Sequence, residues 1–163
     1  MKPAKSPIPE GYHTVTPSLT VRNAVEAIEF YKKALGAQQV MRMDGPDGKI
    51  MHAEIKIGDS ILFLQEEMPN MGSLSPQTLG NATGGLYLYV EDVDGAFEQA
   101  INAGGKQKMP VTDMFWGDRY GAFVDPYGYT WGLSTHTQDM SQEEIAEGQK
   151  EFYEQMERKQ KTA

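Results

Sequence analysis

Two hydrophobic periods alternate along this chain. From His13 to Val21, Val15, Pro17, Leu19 and Val21 fall on one side and Thr14, Thr16, Ser18 and Thr20 on the other. Period two with β-branched residues predicts a strand, and Pro17 predicts an edge or irregular position in it. The period then lengthens. Asn23 is a helix cap, and Val25, Ile28, Tyr31, Lys32 and Leu35 follow helical spacing up to a stop at Gly36. Ala37 to Met43 reads as a second strand, and Asp44-Gly45-Pro46-Asp47-Gly48 as a turn cluster. Lys49 to Ile57 and Ser60 to Gln65, joined by Gly58-Asp59, read as a hairpin.

The same order returns downstream. Gly85 to Val90 predicts a strand. Asp92 caps a helix carrying Val93, Ala96, Phe97 and Ile101 and ending at Gly104-Gly105, and Met109 to Met114 is a further strand. After the turn Phe115-Trp116-Gly117, a last hairpin closes around Asp125-Pro126-Tyr127-Gly128, where proline presets φ and glycine accepts φ > 0. Val21 and Val90, Gly36 and Gly105, and Phe63 and Gly132 each stand 69 residues apart. The chain therefore reads as two strand–helix–strand–strand–strand units, and the repeat fixes the fold class, α+β, better than any single element.

Three segments lie outside the repeat. Residues 1–11, polar and carrying Pro3, Pro7 and Pro9, read as a flexible arm. Glu66 to Gly84, between modules 12–66 and 84–137, is a long linker of the kind that serves as a lid or as an arm across a dimer. In 138–163, Ser141 and Glu144 form a capping box, and Ile145, Phe152, Tyr153 and Met156 stripe the helix that follows, so this helix should dock on its own body or on a partner.

Composition narrows the chemistry. A length of 163 residues suits one domain. The absence of cysteine excludes disulfides, thiolate metal sites and a cysteine nucleophile. A net charge of −8 without a basic run argues against nucleic acid as a partner. The N-terminus has no apolar signal-peptide core and no run approaches a membrane span, so a cytoplasmic protein with no membrane partner is expected. No Ser–His–Asp spacing supports nucleophilic catalysis, and no glycine-rich turn precedes a helix as a phosphate cradle.

Alternation also sorts the strand residues into two faces. Assigning the more apolar set to the helices places Val15, Leu19, Met51, Ala53, Ile55, Ile57, Leu62, Leu64, Leu86, Leu88, Tyr120, Ala122, Val124, Trp131 and Leu133 in the core. The opposite face then carries Thr14, Thr16, Ser18, Ile50, His52, Glu54, Lys56, Phe63, Gln65, Tyr87, Tyr89, Arg119, Gly121, Phe123 and Thr130. His52 and Glu54, two apart, point the same way and suit a base and its orienter; the alternative is an ordinary polar sheet face. Arg119 is a candidate anion clamp, with an internal ion pair as its alternative. Trp116 is a candidate aromatic wall, a core plug or a dimer contact, and His13 and His136 read as isolated surface residues.

Two such units resemble the vicinal-oxygen-chelate superfamily, which includes glyoxalase I, bleomycin-resistance proteins and extradiol dioxygenases. Leu19-Thr20-Val21, Ala27-Ile28-Glu29-Phe30-Tyr31, Leu35-Gly36 and Val124-Asp125-Pro126-Tyr127-Gly128-Tyr129 carry the likeness over about residues 12–137. Met51-His52-Ala53-Glu54, Tyr89-Val90-Glu91-Asp92-Val93-Asp94 and Phe115-Trp116-Gly117-Asp118-Arg119-Tyr120-Gly121 resemble its PhnB-like branch. The resemblance implies βαβββ modules curled into half-barrels with helices outside, a pocket inside, and a homodimer. Metal-using members hold a divalent ion with side chains from the first and fourth strands of each module. The matching positions here are Thr16, Phe63, Gly85 and Gly132, which include no His or Glu, so no metal and no cofactor are expected. Three functions follow as expectations. The first is a metal-independent binder of a small molecule, with Thr16, His52, Glu54, Phe63, Gln65, Tyr87, Tyr89, Trp116 and Arg119 as its contacts. The second is a lyase-, isomerase- or dioxygenase-like enzyme using His52 and Glu54, with or without a divalent metal. The third is a dimerisation module with a vestigial pocket.

Overall fold

The repeat folds as two sheets of identical order in the computed structural model, which describes residues 3–161. Met1 and Lys2 of the expected arm, and Thr162 and Ala163 of the C-terminal extension, lie outside these. The first module contains β1 (Ser18–Val21), α1 (Ala24–Leu35), β2 (Gln38–Asp44), β3 (Ile50–Ile57) and β4 (Ser60–Glu66). A short helix α2 (Pro76–Leu79) precedes the second module, β5 (Gly85–Tyr89), α3 (Val93–Asn102), β6 (Lys106–Asp113), β7 (Asp118–Val124) and β8 (Thr130–His136). Helix α4 (Gln142–Lys161) closes the chain. The sheets run β1-β4-β3-β2 and β5-β8-β7-β6, with β1 parallel to β4, β5 parallel to β8, and the other pairs antiparallel. A parallel pair needs a crossover, which the helix and the two intervening strands supply. Neither sheet closes on itself. Among the described residues no helix is long and apolar enough to cross a membrane.

Local chemistry sets the boundaries. Asn23, at φ 58°, accepts from the Glu26 amide, and Asp92 accepts from the Gly95 amide, so each helix begins at the expected cap. Gly36 ends α1 in the left-handed conformation. Ser141 and Glu144 exchange hydrogen bonds of 2.8 and 3.2 Å at the start of α4. That helix lies on the Phe115 turn: Phe152 meets Phe115 at 5.6 Å between centroids, and a Cβ on Gly148 would sit 2.8 Å from the Phe115 Cβ.

The structure corrects three expectations about the core. Strand β1 is shorter than the alternating run from His13, because Pro17 has no amide to give the ladder; its carbonyl still accepts from Phe63. Val15 is therefore exposed rather than in the core. A bulge inserts Met51 between the pairs Met43–His52 and Asp44–Ile50, so Ile50 takes the buried face and Met51 turns outward. On α1 the buried stripe runs through Ala24, Ala27, Ile28, Tyr31 and Ala34, and Val25 is exposed. Small residues on that stripe let the helix lie close to the sheet.

The linker at 66–84 folds back on its own chain. Glu67 accepts from Arg22, Thr78 and the amide and hydroxyl of Ser75, and those donors hold its carboxyl down to about 2. Ser73 meets Thr20 and Gln65 at the end of the first sheet, and Gln77 donates to the Pro126 carbonyl.

The two modules share one core, joined at the Asp125 turn. The buried Asp125 carboxylate accepts from Tyr31 of α1 at 2.7 Å, from the Trp131 indole at 2.8 Å, and from the Tyr127 and Tyr129 amides at 2.9 Å each. Burial pushes the carboxyl upward and the donors pull against it. Tyr31, Tyr127, Trp131 and Phe30 pack around it with centroids 5.3 to 6.1 Å apart. The Tyr129 hydroxyl also exchanges hydrogen bonds with the amide and carbonyl of Thr20, at 3.1 and 3.0 Å, covering the free edge of β1. Replacing Asp125 with Ala strands four donors in the shared core and should cost on the order of 3 kcal/mol of unfolding free energy in denaturant titration. A loss below ~1 kcal/mol would contradict this role.

Candidate functional site

Each sheet turns one face away from the helices, and the two faces differ in chemistry. In the first module, β1, β3 and β4 present Ser18, Thr20, His52, Glu54, Phe63 and Gln65, with Ser18 and Glu54 both opposite Phe63 in register. The structure brings His52 and Glu54 together, with Nε2 to Oε1 at 3.2 Å. Glu54 is only 7% exposed, so its charge has protein partners rather than water. Its other oxygen accepts from the Tyr12 hydroxyl. Phe63 packs on both rings, 4.9 Å from His52 and 6.3 Å from Tyr12. A groove of about 400 Å³ runs beside this group, walled by Pro7, Ile8, Pro9, Thr16 and Phe63.

Two other expected contacts have local duties. Thr16 borders the groove but lies outside β1 and donates to the His13 carbonyl at 3.4 Å. The Gln65 amide donates to Thr20 and Ser73, at 3.1 and 2.9 Å, and ties down the linker. Tyr12 was not among the sequence candidates. It stands in a proline-rich polar stretch without periodicity, and its one signal is that it is the first aromatic residue of the chain.

The second module carries an aromatic row over a buried acid. Tyr87 stacks on Tyr120 with centroids 5.4 Å apart and planes 7° from parallel. Tyr89 flanks Tyr87 at 5.3 Å, and Trp116 flanks Tyr120 at 6.2 Å. Gly132 makes this possible, since a Cβ there would lie 2.8 Å from Tyr120 and 3.0 Å from Tyr87. Beside the row, Asp118 is 3% exposed and accepts from Tyr87, Tyr89, Ser134 and His136 Nδ1 at 3.3, 3.2, 3.1 and 2.8 Å. Burial alone would raise its carboxyl; the donors from His136, Ser134, Tyr89 and Trp116 outweigh burial and hold it below the ordinary 3.8. His136 is raised above 6.5, first by Asp118 and then by Asp139 on its Nε2. Burial, together with the Asp118 charge, pushes the Tyr87 and Tyr89 phenols upward. Tyr87 also borders a cleft of about 420 Å³ between the modules, alongside Pro17, Leu62 and Trp131.

Strand β7 reverses the expected facing. Phe123 stacks on Trp131 under α3, and the space above Gly121 is filled by Phe97 and Val111, so these two face the helix, whereas Tyr120 lies on the open face. Ranking by hydrophobicity failed here because a glycine and an arginine share the helix side. Arg119 reaches Asp94 on α3 with two bonds of 2.7 Å and Asp113 with one of 3.1 Å. It forms the internal pair and does not join the aromatic row. Asp118 and His136, also outside the sequence candidates, were detectable: counting outward from the Asp125–Gly128 turn sets them opposite each other.

The positions that hold metal in the resembled family carry no suitable donors here. Phe63 and Gly132 lie on the open faces of β4 and β8, Gly85 pairs with Thr130, and Thr16 is occupied by a local bond. These side chains are a phenyl, two glycines and one hydroxyl, which do not fit a divalent cation. Among the described residues no three His, Asp or Glu side chains converge as ligands.

Comparison with known proteins agrees with this architecture. The sequence model of the Glyoxalase/Bleomycin resistance protein/Dioxygenase superfamily matches residues 12–133. Uncharacterized protein Mb0911c of Mycobacterium bovis is 38% identical over 134 residues, covering 80% of this chain and 88% of that protein. Lactoylglutathione lyase of Neisseria meningitidis serogroup A is 31% identical over 112 residues, covering 68% of this chain and 81% of the lyase. Among solved structures, the PhnB protein of Bacillus cereus superposes with a TM-score of 0.59 at 19% identity, covering 76% of this chain and 99% of that one.

The Asp118–His136 contact has a defined pH window. A raised histidine stabilises the fold fully below its unfolded value near 6.5 and loses that contribution as pH rises through the folded value. A lowered Asp118 contributes above 3.8 and loses its share as pH falls through its folded value. The His136 ring resonance should therefore titrate above 6.5 in wild type and return toward 6.5 in Asp118→Asn. An unchanged midpoint in the variant would contradict the assignment.

Proposed function

The chain belongs to the Glyoxalase/Bleomycin resistance protein/Dioxygenase superfamily, and from that premise we propose that it is a metal-independent binder of a planar, amphipathic small molecule. The observation that carries this reading is the row of Tyr89, Tyr87, Tyr120 and Trp116 on the open face of the second sheet. An exposed run of rings is costly to leave in water, and a flat ligand stacked on it gains contact area at little conformational cost. The phenol edges and the Asp118 charge beside them suit the polar rim of such a ligand. At the four metal positions the chain offers a phenyl, two glycines closed over by their neighbours and one hydroxyl bound locally, where the resembled chemistry needs donors.

A homodimer completes the reading. Each half-barrel is open in a single chain, and β2 is exposed along its whole length, with Val40, Met41 and Met43 facing outward. A second copy would cover such surface and narrow the open faces into pockets.

One observation favours a second reading, an enzyme: the 3.2 Å His52–Glu54 bond orients an imidazole as a base needs. Under that reading Glu54→Gln would abolish a turnover that survives chelation.

Three kinds of measurement check the proposal. Protein purified without chelator should carry far less than one divalent ion per subunit by elemental mass spectrometry; a stoichiometric ion would overturn metal independence. Planar aromatic compounds should raise the melting temperature and quench Trp116, and Tyr87→Ala should weaken their binding on the order of tenfold, the loss of one stacked ring. Equal binding by the variant would remove the row from the site. Light scattering should give twice the mass of the 163-residue chain.

A further inference from the structure

The first module's open face holds a ligand-like group that belongs to the chain itself. Tyr12 arrives from a segment without regular structure, after a turn in which its amide donates to the Pro9 carbonyl at 3.2 Å. Its hydroxyl donates to Glu54 and its ring lies against Phe63. Glu54 is buried and its second oxygen is held by His52, which leaves the Tyr12 side as its one open approach among these contacts. The arrangement is a complete recognition unit for one kind of group. A buried carboxylate accepts the O–H, an imidazole steadies the carboxylate, and a phenyl edge receives the ring. The groove of about 400 Å³ alongside, with apolar walls at Pro7, Ile8 and Pro9, has the size of a small-ligand site.

We infer that the Glu54–His52–Phe63 face is a phenol-binding site, and that Tyr12 is its intramolecular occupant, displaced when a phenolic ligand enters. The inference deepens the proposed small-molecule binding by naming a ligand class, and rests on that reading. A phenol rather than a carboxylate is specified because the acceptor is an acid in a chain of net charge −8: an anion would meet repulsion, and an aromatic ring without a hydroxyl would leave the buried Glu54 oxygen without a donor. The raised Tyr12 phenol, held up by its bond to Glu54, agrees with a site that keeps the bound hydroxyl protonated.

The test uses the full chain and two probes, 4-nitrophenol and nitrobenzene, titrated by calorimetry below the pKa of the phenol. An occupant that fills the site most of the time reduces the apparent affinity by the fraction of open sites. Tyr12→Ala should therefore bind 4-nitrophenol on the order of tenfold more tightly than wild type. Tyr12→Phe keeps the ring but loses the O–H, and should fall between the two. Adding Glu54→Gln to Tyr12→Ala should return the affinity to the wild-type level or below, while nitrobenzene should show no gain in any variant. Circular dichroism confirms that each variant is folded; Tyr12 lies outside every strand and helix, so its removal leaves the sheets intact. Equal affinity of Tyr12→Ala and wild type for 4-nitrophenol would overturn the proposal, as would a matching gain for nitrobenzene. If neither Tyr12 variant gains affinity for the phenol while planar compounds still bind in a Tyr87-dependent way, the phenol site is wrong and the broader binding function stands.

Discussion

A single buried carboxylate holds the two halves of this molecule in one core. Asp125 sits at the turn of the last hairpin, and its two oxygens collect two backbone amides of that turn, an indole from β8 and a phenol from α1 of the other module. The amides fix the turn, the turn fixes the β7–β8 register, and the register sets Asp118 opposite His136. The Tyr31 bond acts with the Tyr129–Thr20 bonds, the Gln99–Lys33 bond and the α1–α3 contact to set where the first module lies against the second. Asp125 sits at the centre of that joint, and its burial is tolerable only because four donors converge on it.

On this shared frame the two modules have diverged in chemistry. Phe63 and Gly132 occupy equivalent places 69 residues apart. The phenyl of the first module fills its sheet face and leaves room for the acid–imidazole pair and for the Tyr12 ring. The glycine of the second lets Tyr87 and Tyr120 close over the strand and stack. Metal-using relatives by resemblance would place donors at both. Here those places are spent on ring packing, which favours recognition by stacking and hydrogen bonding over chemistry at an ion.

Much of the fold was legible in the sequence because local signals agreed with the repeat. The Asn23 and Asp92 caps, the stops at Gly36 and Gly104, and the Asp125-Pro126-Tyr127-Gly128 turn all act within a few residues. Apart from Trp116, which stands in a turn, the site was legible where the period held. His52 and Glu54 lie within an unbroken stretch of β3, and Tyr87 and Tyr89 within β5. The Met51 bulge shifted Ile50 to the core, and on β7 the pairing of Arg119 with Asp94, a residue on a distant helix, reversed the facing that hydrophobicity suggested. Tyr12 escaped notice because its partner lies 42 residues away and no period leads to it. Such contacts are tertiary, and strand alternation carries no information about them.

Under the proposed function, ligands bind on the open sheet faces without an ion. The measurement that tests it most directly is an amide and ring chemical-shift map of isotope-labelled protein, titrated with a planar phenol in the presence of a strong chelator. Saturable shifts are expected on His52, Phe63, Tyr87, Tyr120 and Trp116, with α1 and the outer side of α3 unmoved. Shifts confined to the helical side, or shifts that vanish on chelation, would contradict it.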